Sequence, residues 1–127
     1  MRASAEIVIE RPLEAVWRWA ADPEHWDRWE DELGEVYPGD YEIIDSRRPR
    51  RQVVRSVSGR APFEATLELS EDVGGTRGRQ SVSAGPGDPL ARLVFVFARP
   101  LARRDMRRRI EAQLARLKEM VELEAAL

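Results

Sequence analysis

The chain has 127 residues, 43% hydrophobic and 35% charged, which suits one globular domain over 1–127 with a heavily solvated surface and is too short for two good cores. There is no cysteine, so disulfides, thiolate chemistry and cysteine zinc sites are excluded. The net charge is only −2, but it is unevenly spread: residues 1–46 hold 13 acidic side chains against 4 arginines, and residues 47–127 hold 10 against 17 basic ones. The two halves therefore attract each other, and the basic half offers a surface to an anionic partner.

In chain order, Ala5, Ile7 and Ile9 alternate with Glu6, Val8 and Glu10, the pattern of a strand with one buried face. Arg11-Pro12 ends it, and Pro12 suits a helix start, where a missing N–H costs nothing. Leu13, Val16, Trp17 and Ala20 then fall at helical spacing, predicting a short amphipathic helix over Leu13 to Ala21. Asp22-Pro23 stops it, because a residue before proline is pushed out of helical geometry. Asp22 can also cap a second short helix from Glu24 to about Asp31, which presents Trp26 and Trp29. Gly34 and Pro38-Gly39-Asp40 mark turns.

Strands follow. Tyr41 to Arg48 and Arg51 to Ser58 are two, joined through Pro49. The clearest is the third, where Phe63, Ala65, Leu67 and Leu69 alternate with Glu64, Thr66, Glu68 and Ser70. Gly74-Gly75 is a hairpin signal, and Thr76 to Ala84 then puts Gly78, Gln80, Val82 and Ala84 on one face. Arg77, Arg79, Ser81 and Ser83 point to solvent in this reading. Asp88 caps the last segment, in which Leu90, Leu93, Val94 and Phe97 form one apolar face. Met106, Ile110, Leu114, Leu117 and Val121 continue it, with a kink or break expected near Arg99 because of Pro100. A long helix with one apolar stripe, beside several half-buried strands, needs the sheet to cover it. Strands joined by tight turns must be antiparallel.

The string Ile7-Val8-Ile9-Glu10-Arg11-Pro12-Leu13-Glu14-Ala15-Val16-Trp17, then Ala21-Asp22-Pro23-Glu24 and Trp26 to Trp29, resembles the opening of START-like domains. Gly74-Gly75-Thr76 and the closing stretch from Leu114 to Glu122 fit the same superfamily, also called SRPBCC or helix-grip, in its polyketide cyclase/dehydratase-like branch. The resemblance covers nearly the whole chain. It implies an α+β helix-grip fold: a curved antiparallel sheet around a long C-terminal helix, with an apolar cavity between them. It also implies binding of lipids, sterols or polyketide-like compounds, and in some members cyclisation or dehydration, with no shared catalytic triad to carry over.

Candidate ligand-binding residues are those that would line such a cavity. Phe63, Ala65, Leu67 and Val82 come from the sheet, and Leu93, Phe97, Met106 and Ile110 from the C-terminal segments. Gln80 is a polar candidate on its strand's apolar side, and Arg55 is another if Val53 and Val57 face inward. A one-residue slip in register would turn either one outward.

Other features read as structural. His25 is the only histidine, and a single His cannot build a histidine metal site. The tryptophans at 17, 19, 26 and 29 either fill the space between helices and sheet or wall a cavity mouth. Arg99, Arg103, Arg104, Arg107, Arg108 and Arg109 read as a solvated helix face with the pairs Asp105–Arg109 and Arg107–Glu111. No aromatic residue interleaves with them, so nucleic acid is not an expected partner. The glycine turns are not phosphate loops, since no Lys-Ser/Thr follows.

The favoured expectation is a module that holds a small hydrophobic or amphipathic molecule, without metal or cofactor. A polyketide cyclase/dehydratase-like enzyme is the alternative, and a surface-acting interaction protein with a collapsed cavity is a third. The longest apolar run, Leu93 to Ala98, is too short to cross a bilayer, so stable membrane insertion is not expected. The first residues carry no apolar secretion segment, so a cytoplasmic location is expected. The sequence leaves a homodimer open.

Overall fold

The computed structural model describes residues 2–22, 41–56, 63–84 and 89–126. The side chains of residues 89–102 and of Phe63 fall outside that set, as does the expected second short helix with His25, Trp26 and Trp29. Among the described residues there are five strands and two helices: β1 (Arg2–Ile9), α1 (Leu13–Ala21), β2 (Tyr41–Arg47), β3 (Arg51–Ser56), β4 (Phe63–Asp72), β5 (Gly75–Ala84) and α2 (Pro89–Ala126). The strands form one antiparallel sheet in the order β1-β5-β4-β3-β2. The fold is α+β, an open sheet with a long C-terminal helix packed on it and a short helix after the first strand.

Helix α1 has the bounds its apolar spacing predicts. Pro12 sits at the N-cap, where its carbonyl accepts from the Ala15 and Val16 amides at 3.0 and 3.1 Å. At the other end Asp22 is already extended, as a residue before proline must be. Val16, Trp17 and Ala20 are buried as expected, and so are Trp19 and Ala21. One carbonyl of the last turn is satisfied from a distance: the Gln52 side chain donates to Ala21 O at 3.2 Å.

The β4–β5 hairpin turns through Val73 and Gly74, with Asp72 paired to Gly75. Gly74 has φ +91°, a conformation that an L side chain rarely adopts. Gly75 is required for another reason: a Cβ there would run into the backbone of Ile9 and Glu10. This close approach lets β1 end against the hairpin. Next to it, the buried Thr76 hydroxyl donates to Arg11 O at 2.8 Å.

Helix α2 departs from expectation. It is one continuous helix of 38 residues, with no break at Arg99-Pro100. Proline in a helix interior removes one i→i−4 hydrogen bond and costs about 3 kcal/mol. The helix nevertheless runs through Pro100, and it packs along β1, β5 and α1. No described helix is long and apolar enough to cross a membrane. The expected pairs Arg107–Glu111 and Asp105–Arg109 are both present on its exposed side.

The buried side chains fall into two neighbouring clusters. One joins α1 (Val16, Trp17, Trp19, Ala20, Ala21) to Ile9, Leu67, Leu69, Leu117 and Val121. The other joins Ala3, Ala5, Ala65 and Val82 of the sheet to Met106, Ile110 and Leu114 of α2. Ile7 packs against both. A polar clamp holds the far end of the helix to β1. Lys118 Nζ donates to Val8 O at 3.1 Å and to Glu122 Oε1 at 2.6 Å, and Glu122 also accepts from the Glu10 amide at 3.2 Å.

The packing and the clamp can each be tested. Ile110→Ala, at a fully buried position, should lower unfolding free energy by about 2–5 kcal/mol in urea titration, whereas Leu123→Ala, on an exposed position, should stay within about 0.5 kcal/mol. The clamp bears on Glu122, whose carboxyl the Lys118 hydrogen bond, and then the Glu10 amide, hold below its ordinary value of 4.5. A carboxyl with a depressed folded-state pKa contributes stability that is complete above the unfolded value and lost as pH falls through the folded one. The stability gap between wild type and Glu122→Gln should therefore be full near neutrality. It should shrink once the pH drops below 4.5, and a gap independent of pH would contradict the clamp.

Candidate functional site

Cross-strand register decides what faces α2. One row across the sheet runs Ala3–Val82–Ala65–Val54, and the next runs Ala5–Gln80–Leu67–Gln52. A third row brings Ile7, Gly78 and Leu69 into line. Directly opposed residues of antiparallel strands share a face, so these rows form the inner surface of the sheet. Over β1 and β5 that surface is made mostly of small side chains: Ala3, Ala5, Gly78 and Val82, with Ala65 beside them on β4.

Opposite lies the stripe of α2. Met106, Ile110, Gln113, Leu114, Leu117 and Val121 are all buried, at the spacing of one helix face. Of the expected lining residues, Ala65, Val82, Met106 and Ile110 therefore meet in a single cluster. Leu67 is buried too, but it belongs to the cluster under α1. The side chains of Phe63, Leu93 and Phe97 lie outside the described residues.

Gln80 faces inward as expected and is only 2% exposed. Its Oε1 has no hydrogen-bond partner among the described residues. A buried carbonyl left unpaired costs about 1–3 kcal/mol, and such groups are rare enough in folded proteins to need a reason. Its flanks on the row are Ala5 and Leu67, neither of which offers a polar side chain. The carboxamide thus stands as an isolated polar group on a small-residue floor.

Arg55 is a correction. The expected register put Val53 and Arg55 inward, but β3 pairs Val54 with Ala65 and Gln52 with Leu67. The inner positions are therefore Gln52 and Val54, one residue out of step with the expectation. Arg55 lies opposite Glu64 on the outer face, is exposed, and pairs with Glu42 of β2. Val53 also points outward, opposite Thr66, and is buried there. Ser81 shares that face as predicted, yet it is buried as well.

Two inward glutamines were not among the expected site residues. Gln113 could have been found, since it lies three positions after Ile110 and four before Leu117 on the apolar stripe. Gln52 had no such signal, because its orientation depends on which strand β3 meets.

The outer face carries a depression of about 530 Å³, lined by Arg47, Arg48, Arg50, Arg51, Arg77 and Arg79 with Glu6 and Glu68. Most of these guanidiniums are already matched. Arg47 and Arg51 pair with Asp45, Arg48 with Glu14 and Arg50 with Glu71. Arg77 pairs with both Asp72 and Glu6, and the Asp72 hydrogen bond first of all pushes its pKa further above the ordinary value. The charge there is largely satisfied within the chain, which makes it a weaker candidate than the inner face.

The chemistry open to the inner face is limited. Among the described residues of the first two rows no side chain is titratable, so acid–base catalysis has no group to use there. No cluster of three His, Asp or Glu suited to a metal occurs among the described residues. What the surface can do is exclude water, match an apolar shape, and offer carboxamides, of which Gln80 lies on the sheet beside the small residues and Gln113 on the facing helix.

No protein-family profile matches the chain, and no curated protein sequence matches it. Solved structures do. A Thermus thermophilus protein, TTHA0849, superposes with a TM-score of 0.65 at 21% identity over 100% of both chains. An AHSA1-like protein from Aeromonas hydrophila reaches 0.68 at 17% identity, covering 98% of this chain and 94% of its own. DynU16, a protein of the dynemicin biosynthetic locus, reaches 0.66 at 14% identity over 95% of this chain and 47% of its own. At these identities the likeness is one of fold. Together with the sheet order and the long helix lying on it, it makes this chain's architecture a helix-grip fold.

Proposed function

We propose that this protein binds a small hydrophobic or amphipathic molecule between the inner face of the sheet and α2. The observation that carries the reading is the contrast between the two core clusters. Under α1, large side chains (Trp17, Trp19, Leu69) fill the space. Around Met106 and Ile110, the sheet offers alanines and a valine instead. Small side chains on one wall and a flexible methionine on the other leave a seam that a ligand can enter with modest rearrangement.

The neighbours support the choice of ligand class. DynU16 comes from a biosynthetic locus for dynemicin, so a polyketide-like or other apolar metabolite is a reasonable occupant of the same fold. Binding would be driven by apolar area removed from water, worth about 25 cal/mol per Å² before the costs of association. The described inner rows carry no acid–base pair, which favours holding a molecule over transforming it.

The test is occlusion. Wild type should raise the fluorescence of the apolar dye N-phenyl-1-naphthylamine saturably, and polyketide-like or lipid compounds should displace it. Ala65→Phe and Val82→Phe place a ring in the seam, and each should weaken dye binding at least about tenfold while Leu123→Ala leaves it unchanged. Melting curves would confirm that both variants fold. Equal affinity in wild type and both Phe variants would place the dye elsewhere and overturn the reading.

A further inference from the structure

The inner rows do more than tolerate an apolar molecule; they restrict its polar chemistry. We infer that the ligand is uncharged and carries a hydroxyl or another O–H or N–H donor on an otherwise apolar frame, and that Gln80 receives that donor. This deepens the proposed binding function and rests on it.

Three observations converge. Gln80 is on the floor of the seam, in register between Ala5 and Leu67, next to the row that holds Val82 and Ala65. Its Oε1 is buried and has no partner among the described residues. Buried carbonyl oxygens are normally satisfied by protein or by ordered water, so an acceptor left open on a small-residue floor is one a ligand can complete. The neighbouring polar side chain of the same row does not meet that need, because the Gln52 amide is committed to Ala21 O.

The described residues around it disfavour charge. The rows Ala3–Val82–Ala65–Val54 and Ala5–Gln80–Leu67–Gln52 contain no ionisable residue, and the facing stripe of Met106, Ile110, Gln113 and Leu114 contains none. A carboxylate or ammonium placed there would lose its hydration with no counter-ion among the described residues of these rows. Arg55, which a different β3 register would have turned toward the seam, faces the other way and pairs with Glu42. A neutral ligand with one donor fits this surface, and an anionic one does not.

A matched pair of probes tests this: 2-naphthol and 2-methylnaphthalene, alike in shape, one with a donor where the other has a methyl group. NMR titration of labelled wild type should show the naphthol binding roughly five- to tenfold more tightly. Shifts should centre on Ala5, Leu67 and Val82. In Gln80→Met, close in shape but without hydrogen-bonding groups, that preference should vanish through loss of naphthol affinity alone, and the melting temperature should not fall. Naphtholate and 2-naphthoate should bind more weakly than the neutral naphthol. Equal affinity of wild type for the two neutral probes, or an unchanged preference in Gln80→Met, would overturn the inference and leave the apolar seam standing. Binding of neither probe would overturn the seam reading and this inference together. The wild-type comparison decides the matter even if the variant fails to fold.

Discussion

The structure depends on one apposition: the inner face of a five-stranded sheet against a single stripe of one helix. A sheet with half its side chains apolar cannot leave that face in water, and the described part of α2 offers one apolar stripe to cover it. The two surfaces stabilise each other. Register follows from the same constraint. A slip of one residue in β4 or β5 would exchange Leu67 and Val82 for Glu68 and Ser81 or their neighbours, sending charge into the seam. The clamp of Lys118 and Glu122 on β1 then sets where along the sheet the helix lies.

Within that apposition, the packing changes along the helix. The stretch around Leu117 and Val121 meets α1 and its tryptophans and is filled with large side chains. The stretch around Met106 and Ile110 meets alanines. Gln80 sits where the two meet, a polar group that a purely structural core would have replaced with an aliphatic residue. The burial of its Oε1 with no partner among the described residues is a local cost, and retaining it is intelligible if a bound molecule removes that cost.

Much of this was legible in the sequence. Leu13, Val16, Trp17 and Ala20 at helical spacing, bracketed by Pro12 and Asp22-Pro23, define α1 at its observed limits. Strict alternation placed Ala65 and Leu67 on one face of β4, and the position of Gln80 two residues from Val82 placed it inward. What could not be read depended on partners distant in sequence. Val53 and Val54 are adjacent, so either could have faced the core; only pairing with Ala65 selects Val54 and turns Arg55 outward. Pro100 carries a strong local signal for a kink or break, yet the helix runs on through it. Gln52 looks like an ordinary strand residue until α1's last carbonyl at Ala21 is found waiting for it.

The central claim is that the seam between sheet and helix receives a small neutral molecule. A native mass spectrum of the purified protein, compared with its denatured mass, tests that most directly. The account predicts an added non-covalent mass, present in protein from cells or after incubation with apolar hydroxylated metabolites, and absent from Ala65→Phe and Val82→Phe. A spectrum showing the bare chain mass under all those conditions, or an adduct that persists in both Phe variants, would contradict it.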